Sequence, residues 1–145
     1  GQTLEPSEGL TPDQRFFVGM AQWACGADRA ENLRRLAHIA TLLADSGQIV
    51  LVPAISPLEE HRELARAVHA EQGFEFFEVF MDTPLSDCEA RDPKGLYAKA
   101  RAGQLKNFTG IDSPYEAPLN AEIRIDTSKL TPEQAADIIV EELLK

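Results

Sequence analysis

Apolar residues recur every three or four positions along most of the chain, and this spacing predicts amphipathic helices. Several of these stretches open with residues that favour a helix start. Thr11 and Pro12 do so in the first stretch, and Ser56 and Pro57 in the third. We therefore expect helices over six stretches, residues 11–26, 28–47, 56–73, 83–92, 94–103 and 130–145.

Other stretches have the pattern of strands. The run QIVLVPAI at residues 48–55 is apolar almost throughout, which is typical of a strand buried on both faces of a sheet. FEFFEVFM at 74–81 and EIRID at 122–126 are further candidates. Because strands alternate with helices, the sequence predicts an α/β fold with a parallel sheet, whose ligands bind at the carboxyl ends of the strands. That edge would carry Ser56, Asp82 and residues 91–116.

The 145-residue chain is acidic, with 14 Lys and Arg against 24 Asp and Glu and a formal net charge of -10. This balance disfavours nucleic acid and anionic membranes as partners, because both select a basic protein face. No apolar run approaches the ~18 residues that a membrane-spanning helix needs. Cys25 and Cys88 are the only cysteines, and they indicate neither a disulfide framework nor a zinc site. We therefore expect a cytoplasmic protein.

One cluster of positive charge departs from this acidic background. Residues 94–116, KGLYAKARAGQLKNFTGIDSPYE, are hereafter the basic segment. Its cations are Lys94, Lys99, Arg101 and Lys106. They could form the solvated face of a helix, or a lid that clamps phosphate or sulfate oxygens and stacks an adenine on an aromatic ring. The glycine-containing loop that follows, with Phe108 at its centre, favours the lid.

From residue 28 to the C-terminus the sequence resembles adenylylsulfate kinase, and looks most like the kinase domain of actinobacterial bifunctional sulfate-activation proteins. The matching blocks are DRAENLRR, ISP, FFEVFMDTPL, CEARDPKGLY, ARAG and FTGIDSPYE. The resemblance implies a P-loop NTPase fold of the nucleoside-kinase type. It also implies a phosphotransferase that uses ATP and Mg²⁺ to phosphorylate the 3′-hydroxyl of adenylylsulfate, which gives PAPS for sulfate assimilation.

The same resemblance assigns roles to individual residues. Residues implied to bind adenylylsulfate are Arg29, Asn32, Ile55, Lys99, Leu105 and Phe108, with Phe108 stacked on the adenine. Arg91 would lie beside the adenine of ATP, and the lid would include Lys94, Arg101, Lys106, Thr109 and Gly110. Ser56 matches a serine that carries a phosphate in some family members, while the pattern alone makes it a helix cap. Homodimers and association with ATP sulfurylase are implied in the same way.

The sequence lacks the G-x-x-x-x-G-K-[ST] phosphate loop of this family and its DGDN segment. The strand that leads into the loop would lie between the strands at residues 48–55 and 74–81, so we expect an incomplete sheet of three strands. Three functions stay open. The chain is an adenylylsulfate kinase, a non-catalytic protein that binds adenylylsulfate or PAPS, or a chimeric chain that acts only through protein partners.

Residues 1–27 precede the resemblance, and we expect them to form a separate segment with one amphipathic helix before a kinase-like domain at residues 28–145. Within this segment, GLTPDQRFFVGMAQWACG at residues 9–26 weakly resembles a helix near the C-terminal end of neprilysin-type zinc peptidases. The chain has no H-E-x-x-H motif, so this second resemblance implies no peptidase zinc site. We predict no metal ligands from it.

Overall fold

The computed structural model describes residues 16–18 and 29–145. Each helix predicted after residue 28 is confirmed, with bounds that differ by a few residues. The elements in chain order are β1 (Phe16–Val18), α1 (Arg29–Asp45), β2 (Val50–Leu51), α2 (Glu59–Glu71), β3 (Glu75–Phe77), β4 (Val79–Met81), α3 (Leu85–Arg91), α4 (Leu96–Arg101), β5 (Ile123–Ile125) and α5 (Pro132–Leu143).

Strand β1 lies between β2 and β3 in a three-stranded parallel sheet. Phe17 is opposite Val50 of β2 on one side and Phe76 of β3 on the other. The helix predicted over residues 11–26 is therefore wrong at Phe16–Val18, because a short apolar run fits a buried strand as well as a helix. The rest of that predicted helix lies outside the described residues.

The prediction of only three strands is also wrong, since the described residues contain five. The place expected for the missing phosphate-loop strand is taken by β1. The single strand predicted over residues 74–81 is divided at Glu78 into β3 and β4, and β4 pairs in parallel with β5. The backbone N–H of Glu78 donates to a carboxylate oxygen of Glu122 at 2.7 Å, so the continuous ladder is interrupted there.

Two groups of helices cover these strands. Helices α1 and α2 contact each other and the first sheet through small side chains, while α5 packs on β4 and β5. The buried apolar residues of the first group are Ala37, Ala40, Ala44, Val50, Val52, Ala65 and Val68. Those of the second are Ile123, Ile125, Ala135 and Leu143. The parallel α/β class predicted from the sequence is confirmed.

The start of α2 differs from the sequence prediction. The helix begins at Glu59, and Ser56 is buried before it with φ of 37°, so Ser56 does not cap the helix. The acceptor comes instead from Glu116, whose carboxylate receives the backbone N–H of Glu59 at 2.7 Å. The backbone N–H of Glu116 in turn donates to the carbonyl of Pro57 at 2.7 Å. The basic segment therefore ends against the start of α2.

Across the described ranges, every helix is too short or too polar to cross a membrane.

Candidate functional site

Helix α4, which carries Lys99 and Arg101, has a fixed starting point. The carboxylate of Asp92, just after α3, accepts the backbone N–H groups of Tyr97 at 3.1 Å and Ala98 at 3.0 Å. The hydrogen bond from Ala98, helped by those from neighbouring amides, holds the pKa of Asp92 below its usual value. Gly95 completes the turn with φ of 64°, a conformation that glycine adopts without strain.

The loop after α4 is closed by hydrogen bonds around Phe108. The carboxylate of Asp112 accepts the backbone N–H groups of Asn107 at 2.8 Å and Phe108 at 2.5 Å. The carbonyl of Phe108 accepts the N–H of Ser113 at 3.2 Å, which closes the loop from the other side. The ring of Phe108 meets the ring of Tyr97 edge to face, with centroids 5.1 Å apart. Phe108 is therefore held at both its backbone and its ring.

The cations of the predicted lid divide into two kinds. Arg101 forms a bidentate ion pair with Glu89, at 2.6 and 3.0 Å. By contrast, Lys94, Lys99 and Lys106 are exposed, and no acidic side chain within the described ranges lies at ion-pair distance from them. The three lysines are the cations of this segment that an anionic ligand could use without breaking an existing pair.

Arg91, predicted to lie beside the adenine of ATP, is held by contacts within the protein. Its guanidinium donates to the hydroxyl and the carbonyl of Thr127, each at 2.8 Å. The Thr127 hydroxyl also lies 2.8 Å from that of Thr83, at the end of β4. These bonds tie α3 to the ends of β4 and β5, and the nucleotide role of Arg91 stays a prediction.

The remaining predicted site residues occupy three places. Arg29 is the first residue of α1, and Asn32 is half-buried about one turn further along the same helix. Ile55 is 42% exposed in the loop after β2. Leu105, Thr109 and Gly110 are half-buried beyond α4. The bonds of Glu116 bring the end of the basic segment to the loop that holds Ile55, and these assignments otherwise stay predictions.

A buried ion pair lies beneath that loop, and the sequence analysis missed it. Arg62 is 5% exposed, its Nε lies 2.7 Å from Oε1 of Glu78, and its Nη1 donates to the carbonyl of Ser56 at 2.9 Å. Burial raises the pKa of Glu78 against the opposing effect of Arg62 and Arg66. A sequence signal existed, because Arg62 lies at the helical spacing of the buried residue Ala65.

Neither a metal-binding cluster among the described residues nor a phosphate loop in the sequence is found. In residues 16–18 and 29–145, no group of three or more His, Cys, Asp or Glu side chains could hold a metal ion. The sequence also contains no Gly-rich loop with a Lys-Ser or Lys-Thr pair to cradle the phosphates. The exposed lysines and the ring of Phe108 are chemically suited to an anion that carries an aromatic ring.

Comparisons with known proteins all point to the same family. The family model described as adenylylsulphate kinase matches residues 24–126. The bifunctional enzyme CysN/CysC of Mycobacterium tuberculosis is 68% identical over 131 residues, which is 90% of this chain and 20% of that protein. A probable adenylyl-sulfate kinase of Bacillus subtilis is 46% identical, over 93% of this chain and 63% of that protein. The chain thus spans less than two thirds of the length of these curated relatives.

Solved structures agree with the sequence comparison. The structure of the Mycobacterium tuberculosis APS kinase CysC in complex with AMPPNP and APS superimposes with a TM-score of 0.76 at 63% identity. The superposition covers 86% of this chain and 71% of that one. The predicted resemblance and the predicted P-loop NTPase type of fold, in its incomplete form, are both confirmed. The weak resemblance of residues 9–26 to a peptidase segment stays a prediction.

Proposed function

This chain belongs to the adenylylsulphate kinase family, and from that premise we propose that it binds adenylylsulfate, the phosphoryl acceptor, through its basic segment. One observation carries the proposal: the exposed lysines of this segment have no acidic partner among the described residues, and they flank a loop that holds Phe108 in place. A solved structure of a relative in complex with AMPPNP and APS, 63% identical over the matched part, supports the choice of ligand.

The chemistry of adenylylsulfate matches these groups. Its phosphate and sulfate are anionic, and a lysine ammonium is a compact charge that suits such oxygens. Its adenine has a flat π face, and the contact with Tyr97 occupies at most one face of the Phe108 ring. Asn32, Ile55 and Leu105 would complete the pocket, as the family resemblance implies. The protein's part in catalysis would be to bind and orient the acceptor.

Phosphoryl transfer needs a second half of the site. In the family, ATP would supply the phosphoryl group and Mg²⁺ would stabilise its charge, so that positioning and electrostatic stabilisation account for most of the catalysis. Because the sequence lacks the phosphate loop, we assign this chain only the acceptor half. Association with ATP sulfurylase, a homodimer and a cytoplasmic location are further proposals. The bifunctional relative supports the association with ATP sulfurylase, because the part that matches this chain makes up only 20% of that longer protein.

Isothermal titration of the purified chain tests the proposal, first with adenylylsulfate and then with ATP and Mg²⁺. We expect adenylylsulfate to bind and ATP not to bind. At about 100 times its dissociation constant, the bound ligand should stabilise the fold by roughly 2.7 kcal/mol in a thermal-shift assay. No binding of adenylylsulfate would contradict the proposal, while binding of both nucleotides would mean that the chain holds a phosphate site outside the described residues.

A matched pair of variants makes the test specific. Lys99→Ala removes one of the exposed lysines of the basic segment, and Lys129→Ala removes an exposed lysine that is paired with Asp126 in the loop before α5. Both variants change the net charge equally. The affinity should fall for the first and stay unchanged for the second.

A further inference from the structure

The loop between β2 and α2 has a conformation that must be held in place. Ser56 lies in this loop with φ of 37°, in the left-handed region that residues other than glycine rarely adopt. Such a backbone persists only where the surrounding structure fixes it. The neighbouring residue Ile55, which the family resemblance implies in the adenylylsulfate site, is 42% exposed.

Arg62 holds this loop from the interior. Its Nη1 donates a hydrogen bond to the Ser56 carbonyl at 2.9 Å, and its Nε lies 2.7 Å from Oε1 of Glu78 in an ion pair. The side chain of Arg62 is 5% exposed and that of Glu78 is 10% exposed. A planar guanidinium can hold the Ser56 carbonyl in one direction because its donors are fixed in a plane, while the charge of Glu78 balances its own.

Glu116 holds the same loop from the outer side. Its backbone N–H donates to the Pro57 carbonyl and its carboxylate receives the N–H of Glu59. Glu116 is the last residue of the basic segment, so the loop and the basic segment share a point of attachment. The orientation of Ile55 relative to the lysines and Phe108 therefore depends on how firmly Ser56 is held.

We propose that the Arg62–Glu78 pair is a positioning device that fixes the Ile55–Ser56 loop as one wall of the acceptor-nucleotide site. The inference rests on the proposed function for its ligand, an adenine nucleotide with an anionic tail. Neither residue touches that ligand. Buried ion pairs add little net stability compared with well-packed apolar residues. We therefore assign this pair a role in the geometry of the loop rather than in the stability of the fold.

A double substitution separates positioning from stability. Arg62→Met combined with Glu78→Met replaces the ion pair by apolar side chains of similar length and removes the hydrogen bond to Ser56. Arg66→Met is the control for the charge around Glu78, because Arg66 is on the same helix and pairs with Glu122 at 2.6 Å and with Glu78 at 3.4 Å. It removes a cation beside Glu78 and leaves the bond from Arg62 to the loop in place. Arg62→Lys keeps the charge opposite Glu78 but loses the planar fork.

Two measurements are made on each variant: amide hydrogen exchange of residues 54–58, and the dissociation constant for adenylylsulfate by titration. In the double variant we expect the loop amides to exchange faster and the dissociation constant to rise by about tenfold, the lower end of the loss seen when residues that orient metal ligands are replaced. The melting temperature should stay near that of the wild type. The Arg66 variant should match the wild type in both measurements, and the Lys variant should lie between.

The two measurements also separate the inference from the proposed function. If the wild type does not bind adenylylsulfate, the proposed function is wrong, and the exchange rates still decide whether Arg62 holds the loop. Unchanged exchange in the double variant overturns the inference whatever the ligand does. Faster exchange with an unchanged dissociation constant overturns it as well, because the loop would then not be a wall of the site.

Discussion

Phe108 is placed by the backbone of its own loop, which makes its substitution an informative test at the residue scale. We expect Phe108→Ala to weaken adenylylsulfate binding by about 1–3 kcal/mol, the usual contribution of a base stacked on an aromatic ring. Isothermal titration measures the change. Tyr97→Phe retains the ring that contacts Phe108 and serves as the control. An unchanged affinity in Phe108→Ala would remove Phe108 from the site.

His69 makes a second prediction at this scale, on stability and pH. It is fully buried, with Nδ1 2.7 Å from the Ala65 carbonyl, and burial lowers its pKa below the usual 6.5 although that hydrogen bond opposes the shift. Below about pH 6.5, His69 therefore binds a proton in the unfolded chain more readily than in the folded chain. Stability is complete above that pH and falls as the pH drops, by at most about 1.4 kcal/mol per pH unit.

Urea denaturation at pH 7.5, 6.5 and 5.5 measures this dependence. The free energy of unfolding of the wild type should decrease over the series. His69→Gln removes the titrating group, and its free energy of unfolding should change less over the same range, although the variant is less stable throughout. Equal slopes in the two proteins would show that other groups control the pH response.

The residue scale also shows what a sequence reveals about a site. The cluster of cations before Phe108 is visible in the basic segment, and Lys99 is exposed, while its role in a lid stays a prediction. Arg101 looked equivalent to Lys99 in the sequence. In the structure its charge is paired with Glu89 of the preceding helix, because the turn between α3 and α4 brings the two side chains together. Pairing across a turn depends on backbone angles that charge patterns do not encode.

At the scale of elements, α5 is defined almost entirely by local signals. Thr131 and Gln134 form a reciprocal capping box, with bonds of 3.2 and 2.9 Å. We expect Thr131→Ala to lower the free energy of unfolding by about 1 kcal/mol, because it leaves a helix N–H without an acceptor. Chemical denaturation measures the loss. Thr131→Ser keeps the hydroxyl and should be close to the wild type, and an equally stable Ala variant would contradict the assignment.

Elements fixed by distant contacts were harder to predict. The sequence pattern puts the start of α2 at Ser56, too early in the chain. The first backbone N–H of the helix, at Glu59, donates to Glu116, which is far away in the sequence. The break between β3 and β4 coincides with the hydrogen bond from the backbone N–H of Glu78 to the carboxylate of Glu122. The two residues are far apart in the sequence, so a local pattern does not predict it. The short apolar run at Phe16–Val18 fits both a helix and a strand. Its pairing with β2 and β3 shows that it is a strand.

At the scale of the whole molecule, the net charge of -10 sets the background in which the exposed lysines act. We expect the difference in affinity between the wild type and Lys99→Ala to shrink as salt is added. The physical reason is that the screening length falls from ~10 Å at 0.1 M to ~3 Å at 1 M ionic strength. Titrations at three salt concentrations measure this. A loss of affinity that is independent of salt would indicate that the variant is misfolded.

The position of β1 also governs how the protein reaches its native state. The central strand of the first sheet precedes both of its neighbours in the sequence, and it pairs with segments that follow α1 and α2. Neither ladder can form until long stretches of chain have been brought together, and such loop closure slows folding. We expect α1 and α2, which contact each other directly, to associate early. The sheet would then form last, with its apolar edges open to other chains in the meantime.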